Sequence, residues 1–504
     1  MRPRRFEPHE VLCEAGEPGD SLLLIESGFA RVVLDGRTVA KLRRGDVVGE
    51  MSLVTGEPRS ATVVAAVPID ALELRRQDFA RLLARHPALL ANLNQILSRK
   101  LAETTARVGE PRGRGEAVAV VVGPGGGTLL PDIVAAAEAA SPQPVAFVDA
   151  HGSLEEALTS LDDLVAEHAA VLVAADAGEE RLPLLLDAVD RAVAVATGGE
   201  VAELREVEEV ISLDRSDPAK IAWLGRHLTR TKLGLALGAG GAKGYAHIAA
   251  YRALEEAGYT IDYVAGSSIG AIIGGWIALG LPSDEVEAEM RHAFRPEVVE
   301  DMFKLSLSGT STGLETVTSV LQEAARGLAF EDLPRPLAVM TVDLNTRRPA
   351  PLTEGPLWEA MVAAIALAGI FPPFERNGQR LIDGLALVPV PTDAVVEAGA
   401  DITVAINIMS RATLAAWPGE APPPAPEEGR GRQRMLDTLL EVMDLAHTDA
   451  SERHAARADV VVTPLFGPST WRDFHLANLF LEAGRVAAAE QLPALRELAK
   501  PQRS

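Results

Sequence analysis

Cysteine and aromatic residues are scarce in this 504-residue chain, which has one cysteine, Cys13, and 4% aromatic residues. A single cysteine cannot form an internal disulfide, and this usage is typical of proteins in a reducing compartment. We interpret Cys13 as a small buried apolar residue rather than a reactive thiol. Because aromatic residues are few, we expect cores built mainly from Ala, Val and Leu. The length predicts two to four domains.

Basic residues are also fewer than acidic ones. The chain has 48 Lys and Arg against 71 Asp and Glu, for a net charge of −23. A field of this sign argues against nucleic acid as a partner and against general attraction to anionic membranes. The first twenty residues lack the apolar stretch of a secretory signal. We therefore expect a cytoplasmic protein whose lipid association is limited to peripheral contact with the inner face of the membrane.

One mostly uncharged run, residues 263–282, is about long enough to cross a bilayer. It contains five glycines and the polar pair Ser267-Ser268. Glycine adds little hydrophobic surface for lipid, so the composition favours a buried helix packed closely against a sheet. Glycines at four-residue spacing also occur in membrane helix dimers, which is the alternative interpretation.

The first segment of the chain has the pattern of a small all-β domain followed by helices. Residues 4–75 consist of short apolar runs separated by glycine turns, a spacing that predicts an antiparallel roll. Residues 76–108 change to helical periodicity, and Pro87 divides them into two predicted helices. The composition of residues 109–116 predicts a linker.

Alternating strand and helix patterns follow the linker and predict parallel sheets. One series covers residues 117–225, and its turn GPGGG lacks the Lys-Ser/Thr of a phosphate-binding P-loop. A second series begins at residue 231 and is interrupted at 417–433 by a Pro/Glu/Gly-rich stretch, predicted to be a surface loop. The predicted fold class is thus multidomain: an antiparallel β-roll with helices, an α/β segment, and an α/β hydrolase with a mainly parallel sheet. The predicted domains are 1–108, 117–228 and 231–500.

The stretch GEMSLVTGEPRSATV, residues 49–63, combines one carboxylate with one arginine among small residues. A cyclic nucleotide presents a ribose hydroxyl, which Glu50 would bind, and a cyclic phosphate, which Arg59 would bind. Small residues beside the arginine allow the backbone to approach the phosphate. The alternative is that Glu50 and Arg59 form a surface ion pair.

This stretch resembles the phosphate-binding cassette of cyclic-nucleotide-binding domains, and GEPGDSLLLIESG at residues 16–28 resembles the preceding turn and strand of that family. The resemblance covers about residues 6–105. It implies that cAMP or cGMP is a regulatory ligand, and Ser60 resembles the cAMP type of cassette. The cassette residues implied to contact the nucleotide are Gly49, Glu50, Arg59, Ser60 and Ala61.

A second motif, Gly-Ser-Ser-Ile-Gly at residues 266–270, follows a predicted strand and precedes a predicted helix. A strained strand-turn-helix that exposes a nucleophilic serine needs small residues on both sides. The loop LGAGGAKG, residues 237–244, comes one βαβ unit earlier. Consecutive parallel strands bring their carboxyl ends together, so we expect this loop to lie beside Ser268 and to offer N–H groups to an oxyanion.

A nucleophilic serine needs a base, and the sequence leaves two alternatives. Asp383 ends an apparent strand and precedes Gly384. A histidine would instead complete a Ser-Asp-His triad, and three come late enough in the chain, although none has an obvious strand-end context. These are His447, His454 and His475.

The glycine loop, the Gly-x-Ser-x-Gly elbow and Asp383-Gly384, in this order, resemble a patatin-like phospholipase with a Ser–Asp dyad, over about residues 231–410. The domain arrangement is similar to the neuropathy target esterase branch, which implies a phospholipid or lysophospholipid substrate. Carried over by position, Ser268 is the nucleophile and Asp383 the base. Gly238, Gly240 and Gly241 form the oxyanion hole. The predicted chemistry uses no metal ion and no cofactor.

Three positions depart from the family pattern. Lys243 replaces an arginine, Leu385 replaces a small residue, and Ala363-Ala364-Ile365 replaces an Arg-Ala-Ser run. None removes a catalytic atom. They leave open the alternative that the chain is a cyclic-nucleotide-sensing scaffold with weak or no turnover.

Overall fold

The computed structural model describes residues 2–7, 10–28, 30–34, 37–42, 46–49, 52, 58–59, 61–65, 69–76, 78, 115–123, 126–150, 161, 163–179, 182–196, 207, 209–213, 217–302, 314–368, 370–414 and 447–502. Several predicted features lie wholly or largely outside these residues: the helices at 76–108, of which residues 76 and 78 are described, the loop at 417–433, Glu50 and Ser60. Of the linker predicted at 109–116, residues 109–114 lie outside, whereas Glu116 begins a strand.

The described part of residues 2–75 forms two four-stranded antiparallel sheets, in the orders β1-β8-β3-β6 and β2-β7-β4-β5. At the start of β8, buried Ile69 and Ala71 flank the exposed Asp70, as expected for a strand with one face on a core. Cys13 is buried in this core, as predicted. The strands are β1 (Arg2–Phe6), β2 (Val11–Cys13), β3 (Ser21–Ser27), β4 (Ala30–Leu34), β5 (Arg37–Leu42), β6 (Val47–Val48), β7 (Thr62–Ala65) and β8 (Ile69–Arg75).

A five-stranded, wholly parallel sheet follows, in the order β10-β11-β9-β12-β13. Strands β9 and β11 are buried along nearly their whole length, as expected where helices cover both faces of a parallel sheet. The elements are β9 (Glu116–Val122), a 3₁₀ turn (Gly126–Leu129), α1 (Leu130–Ala140), β10 (Val145–Asp149), β11 (Ala170–Asp176), α2 (Leu182–Ala188), β12 (Arg191–Ala196) and β13 (Glu209–Ser212).

The third sheet has a parallel centre, β16-β15-β14-β20-β21, with β17, β18 and β19 added antiparallel. Its strands are β14 (Leu233–Leu237), β15 (Tyr263–Ser267), β16 (Leu337–Asp343), β17 (Arg348–Pro349), β18 (Phe374–Arg376), β19 (Gln379–Asp383), β20 (Ile402–Ile406) and β21 (Val460–Val462).

The same part of the chain contains nine described helices, most of which contribute to one largely aliphatic core. They are α3 (Pro218–Leu228), α4 (Tyr245–Glu256), α5 (Ile269–Ala278), α6 (Ser283–Ala293), α7 (Pro296–Met302), α8 (Leu314–Ala324), α9 (Leu357–Ala364), α10 (Thr392–Glu397) and α11 (Ala477–Arg496). Short 3₁₀ turns lie at Gly241–Gly244, Phe330–Asp332, Gly384–Ala386, Arg411–Leu414 and Phe474–Leu476.

The run at 263–282 folds as strand β15 and the ten-residue helix α5, and every residue of both elements is buried. A helix of ten residues spans about 15 Å, half the hydrocarbon thickness of a bilayer. Among the described residues, no helix combines the length and apolar character needed to cross a membrane.

The fold class predicted from the sequence is confirmed: an antiparallel N-terminal domain, a parallel α/β segment and a mainly parallel α/β sheet. The chain divides into two compact units, residues 1–135 with 143–221 and residues 136–142 with 222–504. The first unit contains both the roll and the five-stranded sheet. The boundaries 1–108, 117–228 and 231–500 remain our proposal for the domains.

Candidate active site and nucleotide pocket

Ser268 occupies a sharp turn between β15 and α5. Its φ of 54° and ψ of −126° are left-handed values that a residue with a side chain adopts only under strain. Gly270 permits the turn, because a Cβ atom at this position would lie 2.3 Å from the Leu237 carbonyl oxygen. The elbow geometry expected from the Gly-x-Ser-x-Gly spacing is therefore present.

The Ser268 hydroxyl donates a hydrogen bond of 2.6 Å to Oδ2 of Asp383, 115 residues further along the chain. Strand β19 brings Asp383 there, because it pairs antiparallel with β16 and places Asp383 opposite Thr341. Strand β16 in turn pairs with β15, so Asp383 lies at the same sheet edge as the elbow. The other carboxylate oxygen, Oδ1, accepts from the Leu385 N–H at 2.9 Å.

The Asp383 carboxyl is buried, with 3% of the residue exposed. Burial disfavours the charged carboxylate and raises the pKa of Asp383 to about 7, against the opposing hydrogen bonds from Ser268 and the Leu385 N–H. A carboxylate with an ordinary pKa is a poor base toward a serine hydroxyl. Desolvation makes the ionised Asp383 carboxylate a stronger base than an exposed carboxylate.

The glycine loop that follows β14 lies beside the elbow. Several of its amides donate hydrogen bonds to backbone carbonyl groups of other segments. Gly238 N–H donates to Ile406 O, Ala239 N–H to Pro389 O, and Ala242 N–H to Trp471 O. Among the described residues, the amides of Gly240 and Gly241 have no backbone acceptor, and both glycines line the cavity beside Ser268. Of the three glycines predicted for the oxyanion hole, Gly238 thus belongs to the loop but uses its N–H in the sheet.

Gly241 has a φ of 58°, and a Cβ atom there would lie 2.4 Å from the Trp471 carbonyl oxygen. A side chain at this position would therefore force the loop away from residue 471. The close approach explains why this loop needs glycine rather than another small residue.

A cavity of about 760 Å³, including its open mouth, extends from Ser268. Among the described lining residues, only Ser268 and Asp383 carry a hydroxyl or a carboxyl group. The rest of the wall is glycine or apolar: Gly240, Gly241, Ile269, Phe294, Met302, Ile365, Leu367, Ile370, Phe371, Leu385, Met409, Trp471 and Phe474. This lining suits an acyl chain, since each buried methylene contributes about 0.8 kcal/mol.

The apolar wall was not predicted from the sequence, because its residues come from separate segments with no shared period. Phe294 and Phe474 stack with ring centroids 5.2 Å apart although 180 residues separate them. One signal was available: residues 466–480 contain four aromatic residues in a chain that has few. Two of them, Trp471 and Phe474, line the cavity.

The positions that depart from the family pattern are accommodated by the fold. Leu385 lies in the cavity wall while its N–H binds Asp383. Lys243 is buried, with Nζ 5.9 Å from the centre of the Phe466 ring. Ile365, where the family has a serine, is another apolar lining residue.

None of the three late histidines lies at the described cavity wall. His475 is exposed, as expected, and His454 is half-buried. The Ser268 hydroxyl bonds to Asp383 instead. The geometry therefore favours the dyad alternative over a triad built on His447, His454 or His475.

In the N-terminal roll, the structure brings together Arg59 and Gly49 from the two ends of the cassette. Arg59 donates from Nη1 to Gly49 O at 3.0 Å and from Nη2 to Ser21 O at 2.6 Å. A Cβ atom on Gly49 would collide with this guanidinium, which is consistent with glycine there. Ala61 lies just before β7, and Glu50 and Ser60 are outside the described residues.

Two protein-family models match the chain in the regions just described. The patatin-like phospholipase model matches residues 235–396, and the cyclic nucleotide-binding domain model matches residues 3–86. The first match contains the glycine loop, Ser268 and Asp383, and the second contains the cassette.

Individual relatives and one solved structure are also similar to the chain. A Mycobacterium tuberculosis protein named as an NTE family protein is 26% identical over 99% of this chain and 93% of its own length. Mouse patatin-like phospholipase domain-containing protein 6 is 31% identical over 42% of this chain and 16% of its own. A solved cyclic nucleotide-binding domain from Methylobacillus flagellatus is 36% identical over 21% of this chain and 65% of its own, with a TM-score of 0.20.

The chain therefore carries a patatin-like phospholipase domain and an N-terminal cyclic nucleotide-binding domain. Its match to a protein named as NTE family extends along nearly the whole length of both chains. The resemblance predicted from the motifs is confirmed.

Proposed function

We propose that this protein is a serine lipid hydrolase, of phospholipase or lysophospholipase type, that works through a Ser268–Asp383 dyad. One observation carries the proposal: a strained serine bonds at 2.6 Å to a buried carboxylate at the wall of an apolar cavity. The family match supports the lipid ester as substrate class. The apolar wall supports it independently, because it suits the acyl chain of a phospholipid or lysophospholipid.

In the acylation step, Ser268 Oγ attacks the ester carbonyl carbon and its proton passes to Asp383 Oδ2. The carbonyl oxygen becomes an oxyanion, which accepts hydrogen bonds from the Gly240 and Gly241 amides. When the intermediate collapses, the bond to the alcohol breaks and Asp383 returns the proton to that leaving group. Ser268 is left as an acyl ester.

Deacylation repeats these steps with water in place of the serine hydroxyl. Asp383 takes a proton from the attacking water, and the same two amides stabilise the second oxyanion. Collapse releases the fatty acid, and the proton returns to Ser268. Because no histidine takes part, the raised pKa of Asp383 is central to both halves of the reaction.

The proposal is tested by assaying the full chain on a panel of lysophospholipids and diacyl phospholipids, beside an equally folded Ser268→Ala variant. Fatty acid release that depends on Ser268 supports a hydrolase. A folded protein that binds cyclic nucleotide but releases no fatty acid from any substrate would instead support the sensing-scaffold alternative.

We expect kcat/KM to rise with pH through about 7 and to reach a plateau above it. Asp383 accepts a proton only as a carboxylate, and its pKa of about 7 means that half of the molecules are protonated at that pH. Activity is therefore lost as pH falls below 7. A pH–rate profile on a soluble ester, whose ionisation does not change in this range, measures the effect. An inflection near pH 4 would show that Asp383 has an ordinary pKa and contradict the prediction.

We also propose that cAMP or cGMP binds the N-terminal roll as a regulatory ligand, with the phosphate at Arg59 and contacts from Gly49, Glu50, Ser60 and Ala61. The match to the cyclic nucleotide-binding domain model supports this, as does the half-buried guanidinium on the Gly49 carbonyl. The protein would then act on lipid at the cytoplasmic face of the membrane, touching the bilayer only peripherally.

Arg59→Ala is expected to weaken cyclic nucleotide binding strongly. Removing the counter-charge of a desolvated phosphate costs about 2–5 kcal/mol, or roughly thirtyfold to several thousandfold in Kd. Titration calorimetry with cAMP and cGMP measures the loss, and Arg75→Ala, at an exposed position on β8, is the matched control. Equal affinity of both variants, or no heat from the folded parent at millimolar nucleotide, would contradict this proposal.

A further inference from the structure

His247 is a buried ionisable residue that the proposed mechanism does not use. It is the third residue of helix α4, directly after the glycine loop, and none of it is exposed. Its Nε2 lies 2.8 Å from the Gly238 carbonyl oxygen. Among the described residues, Nδ1 has no hydrogen-bond partner.

These contacts define which ring nitrogen of the imidazole carries the proton. A carbonyl oxygen only accepts, so Nε2 carries the proton and donates it to Gly238. Burial lowers the pKa of His247 to about 4, against the opposing hydrogen bond to Gly238, so the ring is neutral at physiological pH. His247 does not line the cavity beside Ser268, so it is not placed to act as the base for that serine.

The Gly238–Ala239 peptide is held from both ends. His247 binds its carbonyl oxygen, and the Ala239 N–H donates to Pro389 O at 2.9 Å. The elbow approaches that oxygen closely, since a Cβ atom on Gly270 would lie 2.8 Å from it. The next two amides along the chain are those of Gly240 and Gly241.

We propose that His247 is a positioning residue for the oxyanion hole: its Nε2–H fixes the Gly238–Ala239 peptide so that the Gly240 and Gly241 amides face the reacting carbonyl. The proposal rests on the proposed function of Ser268 and of these two amides. An oxyanion hole depends on donors held in place before reaction, so loss of the imidazole would act on the transition state more than on substrate binding.

Two substitutions separate this role from a general packing role. In His247→Gln, the side-chain N–H is the same number of bonds from Cβ as the N–H at Nε2 of the histidine. His247→Leu fills similar space but has no hydrogen-bond donor. We expect His247→Leu to lower kcat about tenfold to a hundredfold, less than the 10²–10³ for removal of an oxyanion donor itself. Its KM is expected to change by less than about threefold, because the cavity wall is intact. His247→Gln is expected to keep kcat within about fivefold of the parent.

A trifluoromethyl ketone with an acyl-like chain adds a second readout, because its adduct with Ser268 carries the oxyanion. The affinity of this ketone for the His247→Leu variant is expected to fall by about the same factor as kcat/KM. Thermal unfolding of each variant reports folding separately. If His247→Leu does not fold, His247→Asn replaces it, since its amide is one bond too short to reach Gly238.

A folded His247→Leu variant, or its His247→Asn replacement, that keeps kcat within about threefold would overturn the proposal. So would a loss of activity in His247→Gln equal to the loss in that variant, or a loss confined to KM. The parent and Ser268→Ala are assayed in parallel, so that failure of this inference can be distinguished from failure of the proposed function. Ser268-dependent turnover with no effect at His247 overturns this inference alone, whereas absence of Ser268-dependent turnover in the parent overturns both.

Discussion

Ser268→Ala is expected to abolish ester hydrolysis, with kcat falling by about 10³-fold or more, while the protein remains folded. The hydroxyl is the only protein group in the proposed reaction that bonds covalently to the acyl carbon. Alanine occupies less volume than serine at the same turn, and Asp383 still accepts the hydrogen bond from the Leu385 N–H. Fatty acid release, circular dichroism and thermal unfolding are the measurements.

The neighbouring Ser267 provides a matched control within one residue. It is fully buried, and its hydroxyl has no hydrogen-bond partner among the described residues. Ser267→Ala removes the same atom from the same strand end and is expected to leave kcat within about threefold. If Ser268→Ala kept most of its activity in a folded protein, or if both variants lost activity equally, the nucleophile assignment would be wrong.

Asp383→Asn is expected to lower kcat by about 10³-fold or more as well, with little change in KM. The amide has nearly the shape of the carboxylate and can still accept from the Leu385 N–H through its oxygen. It cannot take a proton from Ser268, so neither acylation nor deacylation proceeds at the normal rate. Steady-state kinetics at pH 8, where about nine-tenths of the parent's Asp383 is ionised, provide the comparison.

Asp393→Asn is the control for loss of a carboxylate from the same domain. Asp393 is exposed and pairs with Arg457 at the surface, an interaction of little energetic value. Its substitution is expected to leave kcat unchanged.

The triad alternative predicts a different result. Substitutions of His447, His454 or His475 that removed activity, combined with a mild effect of Asp383→Asn, would favour a triad.

The arrangement of the glycine loop and the elbow could be predicted from the sequence because both belong to one βαβ unit. Strand, loop, helix and strand follow each other between residues 233 and 267, and parallel pairing brings Gly240 beside Ser268 without further information. The position of the proposed base required more information, since Asp383 reaches the elbow through the antiparallel pairing of β16 and β19. Its Asp-Gly motif and the family resemblance pointed to it, whereas strand periodicity alone did not.

The rest of the site depends on contacts between distant segments. Phe294, Trp471 and Phe474 meet only in the folded chain, and none has a local sequence pattern that predicts a cavity. His247 has the appearance of an ordinary position in an amphipathic helix, because its role depends on a carbonyl nine residues earlier. Which loop amides remain available for an oxyanion also follows from tertiary pairing, as the bond from Gly238 to Ile406 illustrates.

The most direct test of the central claim is reaction with a fluorophosphonate, followed by intact-mass measurement and peptide mapping. A phosphonate forms a stable adduct only with an activated serine, so its position identifies the nucleophile without knowledge of the natural lipid. We predict one adduct per parent chain, mapped to Ser268, with none on Ser268→Ala and strongly slowed labelling of Asp383→Asn. An unlabelled, folded parent chain, or an adduct mapped to another residue, would contradict the assignment of a Ser268–Asp383 dyad.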